Sequence, residues 1–436
     1  MRLSLIAAAL LAAIACAPAA AQSAQRPEVA AQVARVLPQV TTWRRDFHQF
    51  PELSNREQRT AAKVAEHLRK LGLKPRTGIA HHGVVAIIEG GRPGPDIALR
   101  ADMDALPVTE KVDLPFASRV VTTFNEQQTG VMHACGHDAH TAILMGVADA
   151  LVAMRKDLPG RVMLVFQPAE EGAPPGEEGG AELMIREGLF ADFKPQAMFG
   201  LHVFSTLRAG TIGYRKGPFM AASDFFDVQV TGRQTHGSRP WGGIDPIVAS
   251  AAVIDNLQSV ISRRTDISAL PAVVTIGSIH GGIRNNIIPD EVKMLGTLRT
   301  FDDAQRRRIV DDMRNVIESV AKAHGATGKL GIGELPGNPV TYNNPDLTTR
   351  ILPSLTAVAG AEGVHEIPLV MGAEDFSWYA REVPAVFFFV GSTGPEVDLA
   401  NAPSNHSPLF KLDETALDVG LRAMLQLVLD YQNGGG

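Results

Sequence analysis

His133-Ala134-Cys135-Gly136-His137-Asp138-Ala139-His140 sets three histidines, one cysteine and one aspartate within eight residues of a chain that holds 13 His and 2 Cys in all. Residues 141–154 follow as a strongly apolar helix candidate. Apolar, strand-like runs stand on either side, residues 96–102 before it and 161–167 after it. Buried strands alternating with helices predict an α/β layer with helices on both faces. In such sheets, ligand sites form beyond the carboxyl ends of the strands. Cys135 and His137 lie two apart, and in an extended segment such residues point to the same side. One metal ion could then meet both. Thiolate and imidazole are borderline-soft donors that suit zinc and similar ions.

The same alternation extends outward. Residues 28–50 and 57–71 read as helices and 83–89 as a strand. Residues 181–187 read as a helix and 196–203 as a strand. Near residue 215 the texture changes. Residues 225–230, 272–278 and 291–300 read as strands, 245–262 and 305–324 as helices, together a compact α/β sandwich inserted as its own domain. Residues 328–344, rich in Gly, Pro and Asn, read as the return crossing. A helix over 347–358, a strand over 385–390 and a closing helix over 415–431 complete the first domain. The expected division is residues 22–215 and 329–436 for the larger domain and 216–328 for the insert.

Composition narrows the function. The 436 residues carry a net charge of −6, with 45% hydrophobic and 20% charged residues. No basic run supports nucleic-acid binding. Residues 1–21 read as a secretory signal: Arg2, an apolar stretch over 5–15, and Ala19-Ala20-Ala21 before cleavage at Gln22. The stretch is too short to span a membrane. Export to the periplasm or medium is therefore expected, with no stable membrane insertion. Lipid attachment at Cys16 fits poorly with the residues before it. Once Cys16 leaves with the signal, Cys135 is the only thiol. An exported protein tolerates a lone thiol best when it is buried or metal-bound.

Four further segments place acids or histidines at the ends of expected strands. Asp102 and Asp104 can face one cleft, though a turn held by Asp side chains fits the pattern equally. Glu170 and Glu171 follow the 161–167 run. Adjacent glutamates point different ways, so one can bind metal while the other faces an attacking water. His202 and His406 are each, taken alone, more often structural than ligating. With Cys135, His137 and one of the two glutamates they make five candidate ligands, a number that suits a pair of ions sharing a bridging ligand.

Several stretches together resemble a known family. They are Asp46-Phe47-His48-Gln49-Phe50-Pro51-Glu52-Leu53, the run from Arg100 to Pro107, His133 to His140, Gln167 to Gly172, Gly200-Leu201-His202, Thr235-His236-Gly237-Ser238-Arg239-Pro240, Asn286 to Pro289, and Ala373-Glu374-Asp375-Phe376. In order and spacing they resemble the zinc-dependent amidohydrolase and peptidase group. That group includes hippurate hydrolase, plant auxin-conjugate hydrolases and, more distantly, aminoacylase and carboxypeptidase G. The resemblance implies a zinc-peptidase-type α/β/α catalytic domain with an inserted α/β sandwich lid through which subunits dimerise. It implies two divalent metal ions, zinc first, with manganese, cobalt or nickel able to fill the same donors. Cys135, His137, Glu171, His202 and His406 match the ligands, and Glu170 the general acid/base. Asp104 matches an acid that supports the metal site. The wider family has a metal-binding His where this chain has Asp102, so both aspartates are expected behind the ligands. His236 matches a lid histidine that stabilises the oxyanion, often from the partner subunit, and Asn286 a lid asparagine. Arg299 matches an arginine that grips the substrate carboxylate, a task its planar fork suits. A strand-face ion pair is the plainer reading of Arg299. His48, His133 and His140 are expected to be structural or supporting.

The leading expectation is an exported metal-dependent amidohydrolase acting on N-acyl amino acids. A dipeptidase or carboxypeptidase-type exopeptidase would use the same metal chemistry. A metal- or ligand-binding protein on this scaffold, without catalysis, would have lost the general base, and Glu170 is present.

Overall fold

The computed structural model describes residues 24–334 and 337–434. The expected signal segment and Cys16 lie outside the described residues. Four parallel strands form the middle of an eight-stranded sheet: Arg161–Gln167, Ile97–Asp102, Ala197–Arg208 and Ala385–Thr393, in that spatial order. Their side chains are almost all buried, as a sheet covered on both faces requires. Gly83–Glu89 and Arg76–Ile79 add antiparallel strands on one side. Ile212–Tyr214 and Val364–Glu366 extend the other.

Alternate residues of each strand feed two cores. Leu99, Phe199 and Val386 pack under the helices Pro27–Gln49, Gln58–Lys70, His137–Met154, Pro345–Ala359 and Thr415–Gln432. Ala98, Met198 and Phe387 face the shorter helices Gly180–Arg186 and Phe376–Glu382. A fully buried Leu or Phe contributes roughly 2–3 kcal/mol, so both faces are committed to burial. Chemistry is left to the strand ends.

The insert is a four-stranded antiparallel sheet in the order Val273–Gly281, Glu291–Thr300, Ala222–Thr231, Thr327–Ile332. Helices Pro246–Arg264 and Asp303–Ala323 cover one face, around Val228, Val253, Met294 and Met313. Asp245 caps the first helix through the Ile247 and Val248 amides, and Asp302 caps the second through the Gln305 amide. The fold is therefore α/β, a catalytic-type domain plus a smaller lid.

Two expectations are corrected. The lid does not end at 328, because Thr327–Ile332 is its fourth strand. Gly328 is a loop signal only in isolation. A Cβ there would stand 2.6 Å from the Ile317 carbonyl and 3.0 Å from Ala321 Cβ, so glycine is what lets this strand lie against its helix. The helix after the opening stretch begins at His137, not at 141. The crossings between domains also pair with each other: Gly217–Met220 with Thr341–Asn343, and Ser223 with Asn338. The hinge is thus a two-stranded ribbon.

Candidate metal centre

Cys135 and His137 are not on an extended segment. Gly136 between them has φ +97°, a left-handed turn, and a side chain there would run into Val203. The turn leaves Cys135 just before the helix and makes His137 its first residue. Both still face one point, by a route that strand alternation does not describe. Nor does His202 end its strand. It lies inside Ala197–Arg208, opposite Phe389 of the neighbouring strand.

Cys135 Sγ stands 3.3 Å from His202 Nε2 and 3.2 Å from His406 Nε2, and His406 Nε2 is 3.1 Å from Glu171 Oε1. His137 Nε2 is 3.9 Å from both Glu171 Oε1 and Glu170 Oε2. Two trios with metal-ligand spacing share the thiol: Cys135, His137 and His202, and Cys135, Glu171 and His406. Cys135 is the donor common to both trios, and were two ions held there it would serve each. The far ring nitrogens are spent on backbone oxygens. His137 Nδ1 donates to the Asp104 carbonyl at 2.8 Å and His202 Nδ1 to the Val203 carbonyl at 2.7 Å. That leaves each Nε2 bare and aimed inward.

The donor set fits divalent cations. His137 Nε2 and Glu171 Oε1 are buried without a hydrogen-bond partner, which costs about 1–3 kcal/mol each if nothing else satisfies them. Six carboxylates, Asp102, Asp104, Glu170, Glu171, Glu374 and Asp375, gather around the cluster, and three of them, Asp102, Glu374 and Asp375, hold the guanidinium of Arg100. Burial, then the charges of Glu374, Glu171 and Asp375, push the Glu170 carboxyl well above its ordinary range. Burial, then Glu171 and Glu170, push the Cys135 thiol up. Burial opposes a charged His137, yet Asp102 and Asp104 carry its ring up to about 10. Beyond burial, the contributions that raise all three come from neighbouring carboxylates, negative charge that bound cations would balance.

The supporting frame is dense. Asp104 Oδ1 accepts from the Glu170 amide at 3.1 Å, and its Oδ2 accepts from the Glu171 amide at 3.0 Å and from Ser54 Oγ at 2.7 Å. It is buried, does not line the cavity, and holds the amides of both glutamates beside His137. Asp102 accepts from His140 Nδ1 at 2.6 Å and from Arg100 at 2.7 Å. His140 Nε2 accepts from the Val203 amide, so both its nitrogens are spent. His48 is held between Asp138 at 2.9 Å and Glu110 at 3.2 Å. His133 is buried with both nitrogens unpartnered, and burial drives its pKa down to about 3.

Two non-glycine residues in the site loops have positive φ, Ala169 at +53° and His406 at +71°. Such conformations persist only where neighbours enforce them. Glu57 Oε1 accepts from the Ala169 amide at 2.9 Å. Asn405 Nδ2 donates to the Cys135 carbonyl, and the His406 amide to the Ala134 carbonyl at 2.8 Å. Glu57, Ser54 and Asn405 lie outside the matching stretches, and Arg100 stood at the start of one without a role. Glu374 and Asp375 stood in a matching stretch without a role. Both now brace Arg100, and Asp375 also accepts from Gln167.

A cavity of about 660 Å³ opens over the cluster. It is lined by Cys135, Glu170, Glu171, His202 and His406 on one side and by Ser223, Phe225 and Arg299 of the lid on the other. Arg299 is half-buried, its Nη1 has no partner, and burial lowers its pKa. The ion pair nearby is made by Arg306 with Asp224 at 2.6 Å, so Arg299 keeps its fork for the cavity. His236 and Asn286 do not line this cavity. They sit together at the lid surface, where Thr235–His236 pairs with Ile287–Ile288 and the Gly237 amide donates to the Asn286 carbonyl.

The chain resembles several known proteins along most of its length. A thermostable carboxypeptidase of Saccharolobus solfataricus is 39% identical over 393 residues, 89% of this chain and 94% of that protein. An IAA-amino acid hydrolase ILR1-like protein of Arabidopsis thaliana is 35% identical over 401 residues, 90% and 86% of the two chains. The crystal structure of the Bacillus subtilis YXEP protein, described as a dinuclear metal-binding peptidase of the M20 family, matches with TM-score 0.75 at 34% identity. It covers 92% of this chain and 99% of its own. Residues 98–430 match peptidase family M20/M25/M40. The chain belongs to that family and is a hydrolase of amide or peptide bonds.

Proposed function

We propose that this protein is an exported two-metal amidohydrolase that cleaves N-acyl amino acids to a carboxylate and a free amino acid. The observation that carries the reading is one cavity with a glutamate pair on its floor and, on its roof, the guanidinium of Arg299 with its Nη1 unpartnered. Cys135, His137, Glu171, His202 and His406 would hold the ions. When bound, such ions lower the pKa of water and polarise a carbonyl.

The chain's own groups do the rest. Arg299 binds the substrate carboxylate through paired N–H bonds, which sets the amide over the floor. Glu170 faces the cavity and, as a carboxylate once cations balance the acids around it, takes a proton from the attacking water on a carboxylate oxygen. It returns that proton to the amide nitrogen as the C–N bond breaks. His236 donates to the developing oxyanion. Because it lies outside the cavity in this conformation, it arrives by lid movement or from the lid of a second subunit in a dimer.

A carboxypeptidase-type exopeptidase is the second reading, favoured by the Saccharolobus relative and by the same carboxylate grip. Hydrolysis of a panel of N-benzoyl, N-acetyl and N-aminoacyl amino acids by the metal-reconstituted mature chain separates them. Preference for free-amine dipeptides would refute the leading reading, and so would inertness toward the whole panel.

A further inference from the structure

We infer that Ser238 is a positioning residue that fixes the hydrogen of the His236 ring on Nε2. The inference rests on the proposed role of His236 as the oxyanion donor. His236 opens a tight turn in which the Arg239 amide donates to the His236 carbonyl at 2.8 Å. Gly237 is docked on the other lid strand: its amide donates to the Asn286 carbonyl at 2.8 Å, and a Cβ there would stand 3.2 Å from Asn286 Cα. The turn therefore has little freedom to swing. Inside it, the Ser238 backbone amide points at His236 Nδ1 at 3.0 Å, and Ser238 Oγ lies 2.8 Å from the same nitrogen.

An amide N–H can only donate. Nδ1 accepts that bond only while it carries no hydrogen, so the neutral ring holds its hydrogen on Nε2. Among the described residues Nε2 has no hydrogen-bond partner, and the ring is exposed. What the turn presents outward is thus a ready N–H donor with its rear nitrogen saturated. A donor fixed before charge develops is worth more than one that must reorient. The other tautomer would present a bare nitrogen to an oxyanion and repel it. The amide sets the tautomer, and the hydroxyl holds the ring plane.

Ser238→Ala keeps the amide and loses the hydroxyl. It is expected to lower kcat on N-benzoylglycine about 5-fold with KM within about 2-fold, while Ser238→Thr restores kcat to within about 2-fold of wild type. Ser238→Pro removes the amide hydrogen and is expected to lower kcat about 50-fold. Thermal melts check that each variant folds. The decisive readout is nitrogen-15 NMR of histidine-labelled, zinc-loaded protein, with His236 assigned as the signal pair missing in His236→Gln. Wild type should show a bare Nδ1 and a protonated Nε2. A wild-type ring with its hydrogen on Nδ1 overturns the inference whatever the activity, and so does a Ser238→Ala enzyme with unchanged kcat. The expected ring pattern in a wild type that hydrolyses no amide would uphold the tautomer and refute the proposed function instead.

Discussion

In the domain of the large sheet, His137, His202 and Asp104 are less than one-tenth exposed and both of these rings are tied to backbone carbonyls, while His406, at the rim, is exposed. On the lid, His236, on a two-residue strand, and Asn286, just before its partner strand, stand in solvent, and Arg299 alone of the lid candidates reaches the cavity. The first region is assembled before any substrate arrives. The second, on the proposed function, would complete the site only on lid movement or docking of a second subunit. The difference follows from burial. Ligands that hold cations need several donors locked at once, so the fold spends its buried hydrogen bonds on them. A group that must admit substrate and then close over it cannot be locked in the same way.

The sharpest way to break this contrast is Glu170→Gln. If the floor is preassembled, removing the base leaves the ligands in place. Hydrolysis should fall roughly 10³-fold, while metal content by elemental analysis stays at the wild-type value. A variant that also loses metal would make Glu170 a ligand and dissolve the split between it and Glu171.

Asp104→Ala tests the frame behind the floor. Asp104 holds the amides of both glutamates and lies beside His137. Its loss should weaken metal binding about 10–100-fold, the range seen when a group behind a ligand is removed. Saturating metal should recover much of the activity. Unchanged affinity in a metal titration would show that the glutamates are held by other means.

Arg299→Ala addresses the one lid residue already in place. Its kcat/KM on an N-acyl amino acid should fall about 30-fold, on the scale of losing a bidentate charged contact. On the same substrate with its carboxylate capped as a primary amide, wild type and variant should match within about 2-fold. Equal losses on both substrates would return Arg299 to a structural role.

These tests also mark where the sequence is legible. Cys135, Glu171 and His202 stand out because acids, histidines and a lone thiol after apolar runs are informative without knowing their neighbours. The long helices were placed to within a few residues because amphipathic spacing is local. What escaped depends on contacts between distant parts of the chain. Arg100 pairs with Asp375 across 275 residues. Ala169 takes its left-handed conformation against Glu57, 112 residues away. Gly136 reads as an ordinary glycine until Val203 is found beside it. The lid histidine is conspicuous as a residue, but its distance from the floor is set by a hinge that no motif describes.

Glu57→Gln probes the floor most gently, through pH. Glu57 is fully buried, its Oε2 has no partner, and burial together with the nearby Asp104 charge raises its pKa from 4.5 to about 8. Between those values the folded chain keeps a proton that the unfolded chain has released. Stability rises with pH only where the unfolded state binds more protons, so here it falls as pH climbs from about 4.5 to 8. Glutamine retains an acceptor for the Asn55 and Ala169 amides and carries no such proton. The variant should therefore gain on wild type as pH rises, on the order of 2 kcal/mol by pH 8, with little difference at pH 5. In melts at fixed metal excess the gap between the two should widen by roughly 2–4 °C over that range. A constant gap would mean that Glu57 stays ionised in the folded protein, with a cation of the metal centre close enough to hold it so.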